Sequence, residues 1–302
     1  MTSARCHNST RRLLTVVLLL ATTGPLATAA GPSTGKKVFM MTDMEGVDGI
    51  YDYDLQCNPY KSPRWKESVK LLVDEINAAV DGLLEGGATE VVVCDSHSGG
   101  GILPLAEIHP KARMMVGFHS KPSDFAIDPT YSAMIFIGQH PMSGAEKGIL
   151  AHSNSREWRG VWVNGVPIGE FGMTAFVGAS YGVPTIMASG DTAMCKEFFG
   201  LVPNGECAEV KSGFNSTSGI MLPHQEACDL IRAKARRALE RLPEIKAYKL
   251  SEPMEIKIQL DHSLGDTSER EFLSRGAEQL PDWNFVFRGK NYLETYRRWL
   301  GK

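Results

Sequence analysis

Acidic and histidine side chains follow three apolar runs of the sequence. Asp43 and Glu45 end the first run, in Thr-Asp-Met-Glu-Gly. His97 follows the second run and His140 ends the third. Open parallel sheets place their functional sites at the carboxyl ends of the strands, so these side chains are predicted to meet there. A mixed nitrogen and oxygen ligand set favours Zn²⁺ over Mg²⁺ or Ca²⁺.

Two local arguments bear on this predicted metal site. Asp43 and Glu45 are two residues apart, so in extended backbone their carboxylates point to the same side, where a divalent cation relieves their repulsion. Taken singly, an acid at a strand end is usually a helix cap or turn former, and a lone histidine is usually a surface residue. The pattern alone leaves those readings open.

Two further candidates lie later in the chain. His152 stands among small and polar residues in Gly-Ile-Leu-Ala-His-Ser-Asn-Ser, and it can be a general acid/base or an exposed loop residue. Glu170 follows a predicted hairpin and begins a predicted helix, where it can be a further ligand or an acid favoured by the helix dipole. The remaining histidines are predicted to be structural (His109, His119) or on the surface (His224, His262).

Short apolar runs alternate with helical periodicity from residue 37 onward, which predicts an α/β protein. Residues 37–200 are predicted to form a three-layer domain with a mostly parallel central sheet that holds the metal site. Residues 201–302 are predicted to form a smaller α+β part. Predicted strands cover 37–42, 89–96, 112–118, 132–140, 183–190, 255–260 and 284–289, with a hairpin over 161–168. Predicted helices start at Ser62-Pro63, Asp191 and Pro223.

The first 29 residues have the pattern of a secretory signal peptide. Three arginines precede a short apolar run, and Ala27-Thr28-Ala29 supplies a small-residue cleavage site. The run is too short for the roughly 20 residues of a spanning helix. The sequence therefore predicts a periplasmic or secreted protein, cleaved near Ala29. In an oxidising compartment Cys195 and Cys207 could pair, although the sequence alone leaves this open.

The composition excludes several classes of protein. The chain has 302 residues, of which 43% are hydrophobic and 22% charged, as in ordinary globular proteins. Such a composition excludes disorder and a polytopic membrane protein. The formal net charge of −3 provides no basic excess for binding a nucleic-acid backbone.

Five motifs, taken in order, resemble those of the self-compartmentalising zinc D-aminopeptidases of bacteria (DppA type). They are TDMEGVDG, VCDSHSGG, IGQHP, AHSNS and VPIGEFGMTA. The resemblance covers about residues 37–240. Met41 and Ala151 replace small polar residues of the family pattern, and export is a further departure.

The resemblance implies roles for six residues. Asp43 corresponds to the ligand that bridges two zinc ions in the family. Glu45 and His97 match the ligands of one zinc ion, and His140 and Glu170 match those of the other. His152 matches the catalytic histidine. The resemblance also implies a ring-like homo-oligomer.

The resulting hypothesis is an exported dinuclear zinc aminopeptidase that acts on short peptides with an N-terminal D-residue, such as D-Ala dipeptides. Metal-activated water would hydrolyse the peptide with help from His152. Two alternatives are a metal-dependent amidase or esterase with another small substrate, and a periplasmic protein that binds peptides or metal without turnover. His152 separates them, because a binding protein needs no acid/base residue beside its metals.

Overall fold

The computed structural model describes residues 35–117, 126–155, 157–261 and 266–301, together with Met1. Apart from Met1, these residues belong to one compact unit, Thr34–Lys302. The predicted signal segment, with its cleavage site near Ala29, lies outside the described residues, as do His119 and His262. No helix within the described ranges is long and apolar enough to cross a membrane.

The elements alternate between strands and helices along most of the chain. The strands in the described ranges are β1 Lys36–Thr42, β2 Ala88–Asp95, β3 Ala112–Met115, β4 Ala133–Ile137, β5 Trp158–Val163, β6 Val166–Ile168, β7 Thr185–Asp191, β8 Glu206–Asn215, β9 Ser218–Met221, β10 Met254–Leu260, β11 Glu278–Leu280 and β12 Asn284–Gly289. The helices there are α1 Tyr53–Gln56, α2 Trp65–Glu85, α3 Glu170–Ser180, α4 Thr192–Leu201, α5 His224–Glu240, α6 Asp266–Ser274 and α7 Tyr292–Trp299.

The central sheet has the strand order β3-β2-β1-β4-β7-β8-β9. Its neighbouring strands are parallel except for β8 and β9, which form an antiparallel pair. Strands β4 and β7 are buried along their whole length, as expected for apolar runs that are covered on both faces. The predicted α/β class with a mostly parallel central sheet is confirmed.

The second sheet is antiparallel, with the order β11-β12-β10-β5-β6. Strand β10 alternates buried and half-buried residues, the period-two pattern of a sheet with one covered face. The predicted hairpin is present between β5 and β6, where Asn164 and Gly165 have φ values of 47° and 80°. Both sheets draw strands from either side of residue 200, and the predicted domain boundary there stays a prediction.

The predicted start of α2 at Ser62-Pro63 is wrong, because the helix begins at Trp65. The hydroxyl of Ser62 is engaged elsewhere: it accepts from the amide of Asn58 and donates to the carbonyl of Asp54. It therefore closes the turn that follows α1 instead of capping α2. The helix ends at Glu85, and Gly86 is its C-cap.

Cys195 on α4 and Cys207 on β8 form a disulfide. The bond ties α4 to the central sheet two residues before Glu197. The cysteines described with free thiols are all buried: Cys57, Cys94 and Cys228.

Candidate metal centre

Four of the predicted ligands converge where the carboxyl ends of β1, β2 and β4 meet. Asp43 directly follows β1, which lies between the other two strands. His97 and His140 lie just beyond β2 and β4. Glu170 reaches the same edge as the first residue of α3. The structure therefore brings together side chains that are far apart in sequence.

The backbone at this edge is packed too tightly for any side chain at Gly46. The amide of Asp43 donates to the carbonyl of Ile137 at 2.9 Å, and that of Gly46 donates to the carbonyl of Gly138 at 2.7 Å. A Cβ atom on Gly46 would lie 2.1 Å from the carbonyl oxygen of Gln139. Glycine in the Asp-x-Glu-Gly motif thus allows the segments after β1 and β4 to touch.

His97, Asp43 and Glu45 form a first, buried group of ligand atoms. Nδ1 of His97 lies 3.0 Å from Oδ1 of Asp43 and 3.0 Å from Oε2 of Glu45. Nε2 of the same ring lies 2.8 Å from the carbonyl oxygen of Cys57. A carbonyl oxygen can only accept a hydrogen bond, so Nε2 carries the proton and donates it. In the neutral ring, Nδ1 therefore directs its lone pair towards the two carboxylates.

Such an arrangement needs a positive charge at its centre. Burial disfavours the imidazolium of His97, but Glu45 and Asp43 outweigh burial and hold the pKa of His97 well above its usual value. One proton on Nδ1 cannot serve both carboxylates, and Oε2 of Glu45 is buried without a hydrogen bond. A divalent cation among these atoms would satisfy the orphaned oxygen. This nitrogen and oxygen donor set fits Zn²⁺.

His140, Glu170 and His152 form a second group. Nε2 of His140 lies 3.3 Å from Oε1 of Glu170, and Nε2 of His152 lies 3.6 Å from the same oxygen. Nδ1 of His140 donates to the carbonyl of Pro141 at 3.0 Å, which leaves Nε2 facing the carboxylates. Burial opposes both charged forms, yet the mutual attraction of His140 and Glu170 raises the pKa of the former to about 10 and lowers that of the latter to about 2.

Asp43 lies between the two groups and presents a different oxygen to each. Its Oδ1 faces His97, whereas its Oδ2 lies 3.3 Å from Nε2 of His140. The side-chain amide of Gln139 donates to Oδ2 at 3.2 Å and so fixes the plane of the carboxylate. Burial and the neighbouring Glu45 raise the pKa of Asp43 to about 7, against the opposing effect of the two histidines.

His152 is half-buried, and its ring is held on two sides. Nδ1 donates to the carbonyl of Leu150 at 2.8 Å, and the ring stacks on that of His140 with centroids 3.7 Å apart. Burial and the charge of His140 lower the pKa of His152, so its Nε2 is an available base at neutral pH. Its ring nitrogen is also close enough to Glu170 to join the second ligand group.

The two groups line one cleft of about 440 Å³, a volume in the range of small-molecule sites. Apolar and aromatic side chains from several elements form part of the wall of the cleft. These are Met41, Tyr53, Met173, Tyr296 and Leu300.

Sequence reasoning missed Lys211, a buried residue of β8 that supports the first group. Its Nζ donates to the carbonyls of Glu45, Val47 and Ile50 at 2.6, 2.8 and 2.7 Å. Burial lowers the pKa of Lys211 to about 8, so the ammonium persists at neutral pH. A cation therefore holds the chain segment that follows the Asp-x-Glu-Gly motif.

Two histidines outside the site make ordinary structural contacts. His224, which is predicted to lie on the surface, keeps 32% of its side chain exposed and is also paired, with Nδ1 3.0 Å from Asp48 and Nε2 3.2 Å from Asp74. The reason is that α5 packs on α2, which brings the first residue of α5 against Asp74. His109 is 3.3 Å from Asp81.

Comparison with known proteins gives concordant results. A family model described as D-aminopeptidase matches residues 36–300. The D-aminopeptidase of Bacillus subtilis (strain 168) is 28% identical over 267 residues, which cover 87% of this chain and 95% of the relative. The solved structure of the Zn-dependent D-aminopeptidase DppA from Bacillus subtilis, described as a self-compartmentalizing protease, matches with a TM-score of 0.81 and 27% identity. The match covers 88% of this chain and 96% of that chain.

Proposed function

The chain belongs to the D-aminopeptidase family, and we propose that it uses two zinc ions per subunit to remove an N-terminal D-amino acid from short peptides. The observation that carries the dinuclear proposal is the position of Asp43. Its two carboxylate oxygens face two separate groups of ligand atoms. A residue in that position can serve both metals at once.

The proposed ligands divide accordingly. Glu45 and His97 would complete one zinc site around Asp43, and His140 and Glu170 would complete the other. In both histidines the second ring nitrogen already donates a hydrogen bond to a backbone carbonyl, which is the usual arrangement for metal-bound imidazole.

Zinc ions held by these residues would supply a water of lowered pKa and would polarise the scissile carbonyl. Within the chain, Nε2 of His152 is placed to accept a proton at the site and return it to the leaving amine. The hydrogen bond from its Nδ1 to Leu150 fixes the ring for this transfer. Tyr296 and Leu300 also line the cleft.

We propose a preference for an N-terminal D-alanyl residue. When the substrate amine and carbonyl are both held at the metal centre, the remaining freedom at the α-carbon is which face receives the side chain. A pocket on one face and a wall on the other then separate the enantiomers by steric clash. One methyl group in a pocket corresponds to a selectivity of roughly 10–200-fold.

We also propose export and self-association. The pattern of residues 1–29 supports a periplasmic or secreted location with cleavage near Ala29, and the Cys195–Cys207 disulfide suits an oxidising compartment. The description of the solved relative as self-compartmentalizing supports a homo-oligomer, for which we propose a ring.

The test combines metal analysis with a stereochemical assay. Purified protein should contain about two zinc ions per chain and cleave D-Ala-D-Ala and D-alanyl amide well above the L-enantiomers. Strong chelation should abolish both activities, and added zinc should restore them.

Each alternative has its own outcome in this assay. Equal cleavage of L-alanyl amide would remove the D-specific claim. Turnover of esters or simple amides but not of peptides would identify an amidase or esterase. Peptide binding without any turnover would identify a binding protein.

A further inference from the structure

Glu197 on α4 joins the two chain segments that carry the second ligand group. Its Oε2 accepts from the amide of Met142 at 2.8 Å, and its Oε1 accepts from the amide of Gly169 at 2.9 Å. Met142 lies two residues after His140, and Gly169 immediately precedes Glu170. A single carboxylate therefore bridges the backbone beside both ligands.

The carboxylate is buried, with 8% of the residue exposed, and its hydrogen-bond partners are neutral amides. Burying a carboxylate is unfavourable unless its oxygens are well paired. A glutamine of the same shape would present one oxygen and one NH₂ group, so one of the two amides would face another donor. Only a group with two acceptor atoms satisfies both amides.

Packing at Gly169 shows how closely these parts fit. A Cβ atom there would lie 2.8 Å from Oε1 of Glu197 and 2.9 Å from Cβ of Met142. The absence of a side chain at residue 169 thus permits the contact between the carboxylate and the backbone. That contact sets where Glu170 enters the site.

Helix α4 is itself fixed at its start and along its length. Asp191 caps it by accepting from the amide of Met194, and its second oxygen accepts from the amide of Ile149 in the segment that leads to His152. The disulfide of Cys195 then ties the helix to β8. Glu197 therefore projects from a helix held in place by covalent and hydrogen bonds.

We propose that Glu197 is a positioning residue for the half of the metal centre formed by His140 and Glu170. The inference rests on the proposed two-zinc function. Glu197 acts through the backbone: it holds the distance between the two ligand-bearing segments, so that their side chains are placed before a zinc ion arrives.

The test is the zinc affinity of Glu197→Gln, measured by competition with a chelating dye alongside zinc content after dialysis. We expect one zinc ion to bind about 10–100-fold more weakly, the range for residues that support a metal ligand, and the other to be unaffected. Glu206→Gln is the matched control, because Glu206, the first residue of β8, is similarly buried but pairs with the side chains of Lys234 and Arg241. The control should keep both zinc affinities.

A second variant provides the same test if Glu197→Gln fails to fold. Gly169→Ala keeps the carboxylate but adds a methyl group against it, and should selectively weaken the same zinc ion. Unchanged zinc affinity in Glu197→Gln, or equal loss of both ions, would overturn the positioning role. If Glu197→Gln does not fold, the same two outcomes in Gly169→Ala decide it. A wild-type protein with a single zinc ion would instead overturn the dinuclear proposal. The positioning role of Glu197 would then be supported if Glu197→Gln binds that ion more weakly and overturned if it does not.

Discussion

Replacing Lys211 with methionine tests how strongly the segment after the Asp-x-Glu-Gly motif depends on one buried cation. Methionine keeps most of the apolar stem and removes the ammonium. The carbonyls of Glu45, Val47 and Ile50 then lose this donor, and all three residues are buried.

The expected loss of stability follows from these three contacts. Each buried carbonyl left without a donor costs about 1–3 kcal/mol, so the three together cost about 3–9 kcal/mol. Removing the ammonium also removes the cost of burying it, which favours the lower part of that range, about 3–5 kcal/mol. Because the same segment carries Glu45, zinc binding by the Asp43, Glu45 and His97 group should weaken as well.

The assay is urea unfolding of the wild type and the variant, followed by circular dichroism at neutral pH. The midpoint should fall without a change in the slope. Lys36→Met is the matched control: its Nζ also donates to two carbonyls, of Gly86 and Leu239, but at 3.2 and 3.3 Å in a half-buried setting. It should cost about 1 kcal/mol or less. Equal losses in the two variants would refute the reasoning.

Four further substitutions can be tested with the same protein. His152→Ala should keep two zinc ions and lower kcat by about 10²–10⁴-fold, as for a general acid/base; loss of zinc would instead make His152 a ligand. Asp43→Ala should lose both zinc ions, whereas His97→Ala should keep one, as metal analysis would show; two ions retained in Asp43→Ala would contradict the bridging role. Cys195→Ser should lower the free energy of unfolding by about 2–3 kcal/mol, and wild type in reductant should unfold like the variant; a midpoint equal to that of oxidised wild type would show that the bond to Cys207 contributes nothing.

The parts of the site that could be predicted from sequence are those governed by local rules. Asp43 and Glu45 follow an apolar run that forms a buried strand, as predicted. They lie beyond the end of that strand, with Glu45 in a turn, so the alternation of extended backbone does not account for their common direction. His97 and His140 follow the next apolar runs in the same way. The convergence of these residues depends on strand order, and β1 does lie between β2 and β4.

The supporting residues could not be predicted, because their partners are backbone groups far along the chain. Lys211 bonds to the carbonyl of Glu45, 166 residues away, and Glu197 bonds to the amide of Met142, 55 residues away. No spacing rule links such pairs. A charged residue in a strand or helix usually indicates a solvent-facing position, whereas the side chains of both these residues are buried.

The interlaced path of the chain has a consequence for folding. The chain leaves the central sheet after β4, forms β5 and β6 of the second sheet, and returns for β7 and β8. It later supplies β10 beside β5 and β12 beside β10. Pairings such as Val163 with Ile256 close long loops before they gain any contact energy, which slows folding. A fragment that ends before β8 would contain all six candidate site residues, yet β7 would lack its neighbour β8 and β5 would lack its neighbour β10. Zinc binding should therefore appear only after β8 and β10 have joined the two sheets, so that the ligands assemble in the same step in which the sheets are completed.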